Sequence, residues 1–254
     1  MHTLIAFQTI LYREIYRFIR IWPQTVLPPA ITTSLYFLIF GHLIGARIGQ
    51  MGQVSYIDYI VPGIVLMSVI TNSYGNVVAS FYSTKFQRNI EELLIAPVPA
   101  SVILAGFVLG GVMRGLLTGS IVAGIGVLFT DFHIAHPEVV VGVFFLTATL
   151  FSLAGFINAV YANSFDDISI VPNFVLNPLV YLGGVFYSVS LLPEVWQTVS
   201  RANPMFYMVN AFRYGFLGFS DVDVGLALMV ISGTLLCLLI WAWYLLKQGI
   251  GLKA

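Results

Sequence analysis

Charged side chains are scarce in this sequence. Asp, Glu, Lys and Arg make up 9% of its 254 residues, whereas soluble domains carry roughly 25%. Because 59% of the residues are hydrophobic, the chain cannot cover a water-facing surface, and the composition predicts an integral membrane protein. The formal net charge of zero leaves no long-range field to attract nucleic acid. The single cysteine, Cys237, excludes a disulfide framework and a cysteine metal cluster within the chain.

Long apolar runs occupy most of the chain. A helix needs ~20 apolar residues to cross ~30 Å of hydrocarbon. Six segments meet this need: residues 26–45, 59–81, 101–129, 139–161, 168–187 and 224–246. Pro172 and Pro178 lie inside the fifth segment and are expected to kink it. The sequence thus predicts an all-α integral membrane fold with six transmembrane helices, in a single domain over residues 1–254.

Basic residues are distributed unevenly between the two sides of this predicted bundle. The richer side has seven: Arg13, Arg17, Arg20, Lys85, Arg88, Lys247 and Lys253. The other side has Arg47, Arg201 and Arg213. Because the basic side of a membrane protein faces the cytosol, both termini are predicted to be cytosolic. The short loop 162–167 should also be cytosolic although it holds two acids and no basic residue, because acids count little in this rule.

The first 23 residues form an amphipathic pattern of their own. On a helical wheel, one face is apolar and the opposite face is basic, as in a helix that lies along a membrane surface. The apolar face holds Phe7, Leu11, Ile15, Phe18 and Trp22, and the basic face holds Arg13, Arg17 and Arg20. Residues 1–23 are therefore predicted to be an interfacial elbow helix ahead of the membrane bundle at 24–254. Its role is either to fix the first span and gate lateral access, or simply to anchor the topology.

The loop between the second and third predicted spans, residues 86–99, is too polar to span and too regular for a random connection. Ile90, Leu93, Leu94 and Pro97 are spaced to form a short apolar ridge, and the carboxylates Glu91 and Glu92 flank it. Pro97 and Pro99 stop the helix before the third span. Such a ridge indicates a partner protein, or else it packs on the ends of the chain's own helices.

Two stretches resemble one known family. Glu91-Glu92-Leu93-Leu94 followed by Pro97 resembles the first cytoplasmic loop of type-2 ATP-binding-cassette (ABC) exporter permeases, in their small bacterial single-domain form. A longer match follows the fifth span and agrees in order and spacing with that family's signature. It comprises Leu182-Gly183-Gly184-Val185, Leu192-Pro193, Pro204, Tyr207 and Arg213. The resemblance covers nearly the whole chain.

This resemblance implies a subunit of an ATP-driven exporter in a bacterial cytoplasmic (inner) membrane. The loop Arg88, Glu91, Glu92, Leu93, Leu94 and Pro97 would then couple to a separate ABC ATPase subunit. The three lysines follow Thr84, Leu246 and Leu252, so none stands in the Gly-Lys-Ser/Thr context of a P-loop. No cofactor is expected on this chain, and ATP and Mg would be bound by the partner. The family's architecture implies two membrane halves, here expected to be a homodimer in the lipid bilayer.

The segment 191–219 is a poor span because prolines, arginines and polar residues interrupt its apolar patches. The family resemblance implies short re-entrant helices before the last span, which close the outer end of the pathway. Gly183, Gly184, Pro193, Pro204, Tyr207 and Arg213 would belong to that region. From the residues alone, an ordinary interfacial loop with an aromatic belt explains the pattern equally.

Three charged residues outside these motifs are candidates for function. Arg114 lies inside the third span, where a charge is costly. Three alternatives are open for its side chain: it faces a water-filled cavity, it pairs with Asp166, Asp167 or Glu14, or it extends to the cytosolic surface. Asp166 and Asp167 precede the fifth span, where they either cap its helix or form a second contact with an ATPase.

Other functions have less support from the residues. An ATP-independent secondary transporter or channel needs ionisable residues at the midplane as coupling sites, and Arg114 is nearly alone there. A membrane-embedded enzyme needs a cluster of His, Asp, Glu or Cys at one depth, and the sequence has none. The prediction is thus a transport subunit without an ATP site of its own. An amphipathic, lipid-like, saccharide or drug-like substrate would move by alternating access.

Overall fold

The computed structural model describes residues 2–51, 54–130 and 134–251, and its described elements are almost all helices. The α-helices are α1 (His2–Arg20), α2 (Trp22–Tyr36), α3 (Gly45–Ile48), α4 (Tyr56–Phe86), α5 (Asn89–Ile95), α6 (Ala100–Val127), α7 (Pro137–Tyr161), α8 (Asp167–Val171), α9 (Asn177–Leu182), α10 (Glu194–Arg201), α11 (Pro204–Leu217) and α12 (Val224–Gln248). Two-residue strands, β1 (Gln50–Met51) and β2 (Val54–Ser55), pair antiparallel in the register Gln50 with Ser55. A short 3₁₀ turn covers Val189–Leu191.

Five helices of the described residues are long and apolar enough to cross a membrane. They are Trp22–Ile48, Tyr56–Phe86, Ala100–Val127, Pro137–Tyr161 and Val224–Gln248. The first of these is α2 and α3 joined by a π-helical stretch, Phe37–Ile44. Five of the six predicted spans therefore correspond to long helices.

The predicted fifth span, 168–187, is shorter in the structure. Its helical part runs over Asp167–Leu182, about 24 Å at 1.5 Å per residue. The π-helical turn Pro172–Leu176 interrupts it, because Pro172 lacks the N–H of a regular helical bond. Gly183 ends α9, and Gly184 has φ +78°, a left-handed conformation that suits glycine. The chain then turns away from the helix axis before residue 187.

Helix α4 forms the centre of the bundle, and α6 and α7 pack along it. Its long buried face includes Ile70, Val77 and Phe81, and the Phe81 ring contacts the rings of Phe107 and Phe156 at centroid distances of 5.1 and 4.3 Å. The first span, by contrast, exposes Leu27, Ile31 and Leu35. Much of α12 is exposed too. Two outer spans therefore flank a densely packed core of three.

Glycines allow this close packing of helices, as is common in membranes. A Cβ placed on Gly155 of α7 would lie 2.5 Å from the backbone oxygen of Tyr74 in α4. On the same helix, a Cβ on Gly142 would meet no atom within 4 Å. The two positions are chemically identical but differ in what they face.

Replacing Gly155 with alanine is expected to lower the free energy of unfolding by about 1–3 kcal/mol, because the added methyl forces α4 and α7 apart. Gly142→Ala is the matched control and should be neutral or stabilising by up to ~1 kcal/mol, since alanine favours a helix. Reversible unfolding of both variants in mixed micelles measures the difference. Equal stability of the two variants would mean that the α4–α7 contact is not tight.

Candidate functional site

A buried polar network joins α1 to α4. Glu14 is only 1% exposed, and its carboxylate accepts hydrogen bonds from Ser80 Oγ at 2.6 Å and from Arg17 Nη2 at 3.2 Å. The same Arg17 nitrogen donates to Asn76 Oδ1 at 2.8 Å. A Cβ on Gly110 of α6 would lie 2.6 Å from Glu14 Cβ, so α6 approaches closely at this point. The network holds α1 against the bundle with charged side chains.

This network corrects the predicted faces of the first helix. Of the predicted apolar face, Phe18 is buried within the protein and Trp22 is 58% exposed, and the most buried line of α1 is Ile10, Glu14 and Phe18. The predicted basic face is wrong in part, because Arg17 turns inward and Arg13 donates to Thr84 Oγ1 at 3.1 Å. Helical periodicity missed this because it counts Glu14 and Arg17 as polar and assigns them to solvent.

Lys85 fixes the C-terminal end of α4. Its Nζ donates to the backbone oxygens of Val160 at 2.7 Å and Ala162 at 2.8 Å, where α7 ends. Those carbonyls have no partner within their own helix, and a cation suits the negative end of the helix dipole. Nearby, the Phe165 ring contacts Tyr82 and Phe86 at centroid distances of 4.9 and 5.0 Å. The loop after α7 is thus attached to the end of α4.

The predicted coupling loop lies beside this end of α4. Arg88 has φ +61°, a left-handed turn that separates α4 from α5. Ile90 is buried at 1% exposure and Leu93 is half-buried against the core. Two members of the predicted ridge therefore pack on the chain's own helices, whereas Ile95, outside that ridge, is 85% exposed.

The remaining members of the loop are placed as follows. Glu91, Glu92 and Pro97 are exposed, and the side chain of Leu94 lies outside the described part of the structure. Pro99 directly precedes α6, and its backbone oxygen accepts from Val102 N at 2.9 Å. The exposed surface of the described loop residues thus combines carboxylates with the large apolar side chains of Phe86 and Ile95.

Asp167 caps the helix that it begins. Its Oδ2 accepts from the backbone N–H groups of Asn163 at 2.8 Å and Ser164 at 3.0 Å, and Ser164 Oγ accepts in return from Asp167 N at 3.1 Å. This reciprocal arrangement is a capping box. Hydrogen bonds from the Asn163 N–H, and then from Ser164, hold the pKa of Asp167 below its usual value. Asp166 is exposed, and its carboxylate is free for contact with a partner.

The signature residues meet at the opposite, N-terminal end of α4. Arg213 of α11 is 1% exposed; its Nη2 donates to the backbone oxygen of Gly184 at 2.7 Å and its Nε to that of Tyr59 at 3.4 Å. Its guanidinium carbon lies 3.9 Å from the centre of the Tyr59 ring, within the range of a cation–π contact. We call Tyr59, Gly184 and Arg213 the Arg213 bracket. It ties α11 and the turn after α9 to α4.

Other signature residues shape the short helices next to this bracket. Pro193 directly precedes α10, and Pro204 is the first residue of α11, a position where proline suits a helix. Asn203 caps α11 through Met205 N at 3.0 Å and donates to Leu179 O at 2.6 Å. Tyr207 Oη donates to the backbone oxygen of Arg201 at 2.9 Å. The signature, with Gly183 at the end of α9, is therefore a structural unit.

Arg114 lies between these two ends and lines a cavity of about 320 Å³. We call this space the Arg114 cavity. Its walls are α2 and α4, with hydroxyl and amide side chains that include Gln24, Thr32, Thr71 and Asn72. The Nε of Arg114 is buried without a hydrogen-bond partner among the described residues. Of the three alternatives for Arg114, an ion pair with Glu14, Asp166 or Asp167 is not seen among the described residues.

Sequence reasoning missed Glu14 as part of the buried network, and also Lys85 and Tyr59. Glu14 carried one signal, since it is an acid in an otherwise basic amphipathic helix. Lys85 was counted only for orientation, and Tyr59 only as the start of a span. No group of three or more metal-ligating side chains occurs in the described residues. The arrangement combines a buried polar network, a polar cavity and a structural bracket.

These features define a class: a multi-pass helical membrane protein with a polar cavity between its spans and the predicted coupling loop at one end. The model of one family, the ABC-2 type transporters, matches residues 5–217. The chain belongs to this family, and it is a membrane permease of an ABC transporter. It is thus a transport subunit rather than an enzyme, resident in the inner membrane, and its family implies an ABC ATPase partner.

Several curated proteins are similar to this chain. The inner membrane transport permease YadH of Escherichia coli (strain K12) is 53% identical over 250 residues, 98% of each chain. Nodulation protein J of Rhizobium leguminosarum bv. trifolii is 27% identical over 199 residues, 75% of this chain and 73% of that protein. Nodulation protein J of Rhizobium meliloti (strain 1021) is 27% identical over 217 residues, 83% of this chain and 79% of that protein.

Proposed function

We propose that this chain is the membrane half of an ATP-driven exporter and that it moves an amphipathic, lipid-like, saccharide or drug-like substrate by alternating access. The observation that carries the proposal is the arrangement along α4. One end of this helix contacts the predicted coupling loop, the middle lines the Arg114 cavity, and the other end is held by the Arg213 bracket. A displacement of the loop would therefore be transmitted to the cavity and to the far end through one continuous, largely buried helix.

The ATPase is a separate subunit that binds ATP and Mg, and no cofactor is held by this chain. It docks on the loop formed by Arg88, Glu91, Glu92, Leu93, Leu94 and Pro97. The exposed Asp166 supplies a second contact, because Lys85 and Phe165 attach its loop to the same end of α4. Asp167 supports that contact by capping α8. The coupling loop and the loop that holds Asp166 thus give the ATPase two contact sites at the same end of α4.

The membrane architecture has six spans in a single domain. The segment Asp167–Leu182 forms the fifth crossing, although its helix is only about 24 Å long. Helix α1 is the interfacial elbow, and α10 and α11 are the re-entrant helices that close the outer end. Both termini are cytosolic. Two copies assemble as a homodimer, because the family's architecture has two membrane halves.

Reporter fusions test this topology. Fusions at Gln50, Pro137 and Val199 are expected to report an external location, and fusions at Gln87 and Gly251 a cytosolic one, because the basic residues cluster on the second side. Alkaline phosphatase activity and green fluorescence at each site give complementary readings. An external Gly251 would require an odd number of crossings, and the six-span architecture would then be wrong.

Affinity purification from native membranes tests the proposed function itself. The full chain, solubilised in a mild detergent, is expected to recover an ATPase subunit with a P-loop motif, identified by mass spectrometry. An unrelated six-span protein carrying the same tag is the control for ATPases that co-purify nonspecifically. Recovery of the chain without any ATPase, under conditions that keep its dimer intact, would contradict the proposal.

A further inference from the structure

The Arg114 cavity contains a positive charge that forms no ion pair among residues 2–51, 54–130 and 134–251. Arg114 lies at the middle of α6, about 21 Å along its axis from Ala100 at 1.5 Å per residue. Its Nε has no hydrogen-bond partner among the described residues, and a guanidinium offers five donors. An unpaired charge at such a depth is costly. A bound anion would remove that cost.

None of the carboxylates in the described part of the chain pairs with Arg114. Of the 11 acidic residues, none falls within the six predicted spans. Glu14 approaches the bundle from α1, but it is already paired with Arg17 and Ser80. Arg17 also interacts electrostatically with Arg114, so two cations face one acid. A second copy of the chain has the same acids and therefore brings no carboxylate to its own spans either.

The cavity has the size and lining of a head-group site. A volume of about 320 Å³ holds on the order of ten waters and lies at the lower end of small-molecule sites. Hydroxyl and amide side chains, including those of Gln24 and Asn72, line the cavity together with the guanidinium. On the same helix as Gln24, the apolar side chains of Leu27, Ile31 and Leu35 are exposed. A polar cavity therefore adjoins a surface that suits an acyl chain.

We propose that Arg114 binds the anionic head group, a phosphate or a carboxylate, of an amphipathic molecule whose apolar tail lies along α2. The guanidinium holds two oxygens of the anion in a bidentate pair, and the polar walls donate further hydrogen bonds. This inference deepens the proposed function, on which it rests, by assigning a negative charge to the head group of the transported class.

Binding to the full-length chain, purified in a neutral detergent and stripped of lipid, tests this assignment. The probes are dioctanoyl phosphatidylglycerol, which is anionic, dioctanoyl phosphatidylcholine, which has no net charge, and inorganic phosphate. Native mass spectrometry and calorimetry measure the affinity of each. We expect phosphatidylglycerol to bind at least tenfold more tightly than phosphatidylcholine, which corresponds to ~1.4 kcal/mol.

Three variants test whether the charge of Arg114 causes the preference for the anionic lipid. Arg114→Gln should lose at least tenfold in affinity for phosphatidylglycerol, and Arg114→Lys should keep the preference for the anionic lipid. Arg20→Gln removes one exposed basic charge of α1 and should change the affinity less than twofold. Arg114→Gln loses no side-chain hydrogen bond of Arg114 seen in the structure. If this variant nevertheless fails to fold, the lipid preference of Arg114→Lys still tests the proposal.

Several outcomes would overturn the proposal. Equal binding of the two lipids, or unchanged binding by Arg114→Gln, would show that the cavity does not select an anion. An equal loss in Arg20→Gln would assign the effect to surface charge. Inorganic phosphate that competes as well as the lipid would show a free anion as the ligand. The binding assay contains no ATPase, so a negative result would not contradict the proposed ATP-driven function. Conversely, failure to recover an ATPase from native membranes would not change the measured lipid affinities.

Discussion

Replacement of Arg213 with alanine is expected to lower the free energy of unfolding by about 2–4 kcal/mol, because hydrogen bonds to charged groups are worth ~1.5–3 kcal/mol. The variant leaves the backbone oxygens of Gly184 and Tyr59 without the donors seen at 2.7 and 3.4 Å. It also removes the cation from the Tyr59 ring. The turn after α9 then loses its attachment to α4, and unfolding of the purified chain in mixed micelles measures the loss.

Arg201→Ala is the matched control for this experiment. Arg201 is an exposed arginine of α10, the helix before α11, and surface substitutions usually change stability by less than ~0.5 kcal/mol. Arg213→Lys should lie between the parent and Arg213→Ala, because an ammonium can still reach one carbonyl but lacks the planar fork. If Arg213→Ala were as stable as Arg201→Ala, the bracket would not hold the structure together.

Ile95→Asp is expected to leave the chain folded but to weaken binding of the ATPase by at least tenfold and to abolish transport. Ile95 is 85% exposed, so its loss removes no contact within the chain, whereas its burial by a partner would contribute ~1.5–3 kcal/mol. Gln87→Asp is the matched control, since it adds the same charge to an exposed position of the same loop without removing apolar surface. Co-purification of the ATPase measures the effect.

Other variants of the coupling loop sharpen this prediction. Leu93→Asp should also impair binding, but through disturbed packing of α5, because Leu93 is half-buried against the core. Reversal of both Glu91 and Glu92 to lysine should have a smaller effect, since a single exposed charge pair is worth no more than ~1 kcal/mol. If Ile95→Asp bound the ATPase as tightly as Gln87→Asp, α5 would be only a connection between spans.

Long apolar runs could be predicted from the sequence because hydrophobicity over ~20 residues needs no knowledge of neighbours. Five long helices agree with that prediction, and the segment at 168–187 is the exception. There Pro172 and the turn at Gly184 shorten the helix. The prolines were visible in the sequence, but the position of the turn depends on Arg213, which lies 29 residues further along the chain.

The candidate site was harder to predict, because burial depends on tertiary contacts. The ridge at Ile90 and Leu93 had the right period for a docking face, yet it packs on the chain itself and leaves Ile95 exposed. Arg17 was assigned to the basic face of the first helix and Glu14 only to a possible pair with Arg114, and the two meet in a buried network instead. The cavity around Arg114 is built from three helices, and single-helix periodicity cannot show that they enclose a space.

The central claim is that this chain transports by coupling to the ATP hydrolysis of another subunit. The most direct test is ATP hydrolysis in lipid nanodiscs by the isolated chain, the isolated ATPase and their complex. We expect no hydrolysis by the chain alone. We expect the complex to hydrolyse ATP at a rate that Ile95→Asp changes and Gln87→Asp leaves unchanged. Hydrolysis by the rigorously purified chain, or a complex whose activity is the same for both variants, would contradict it.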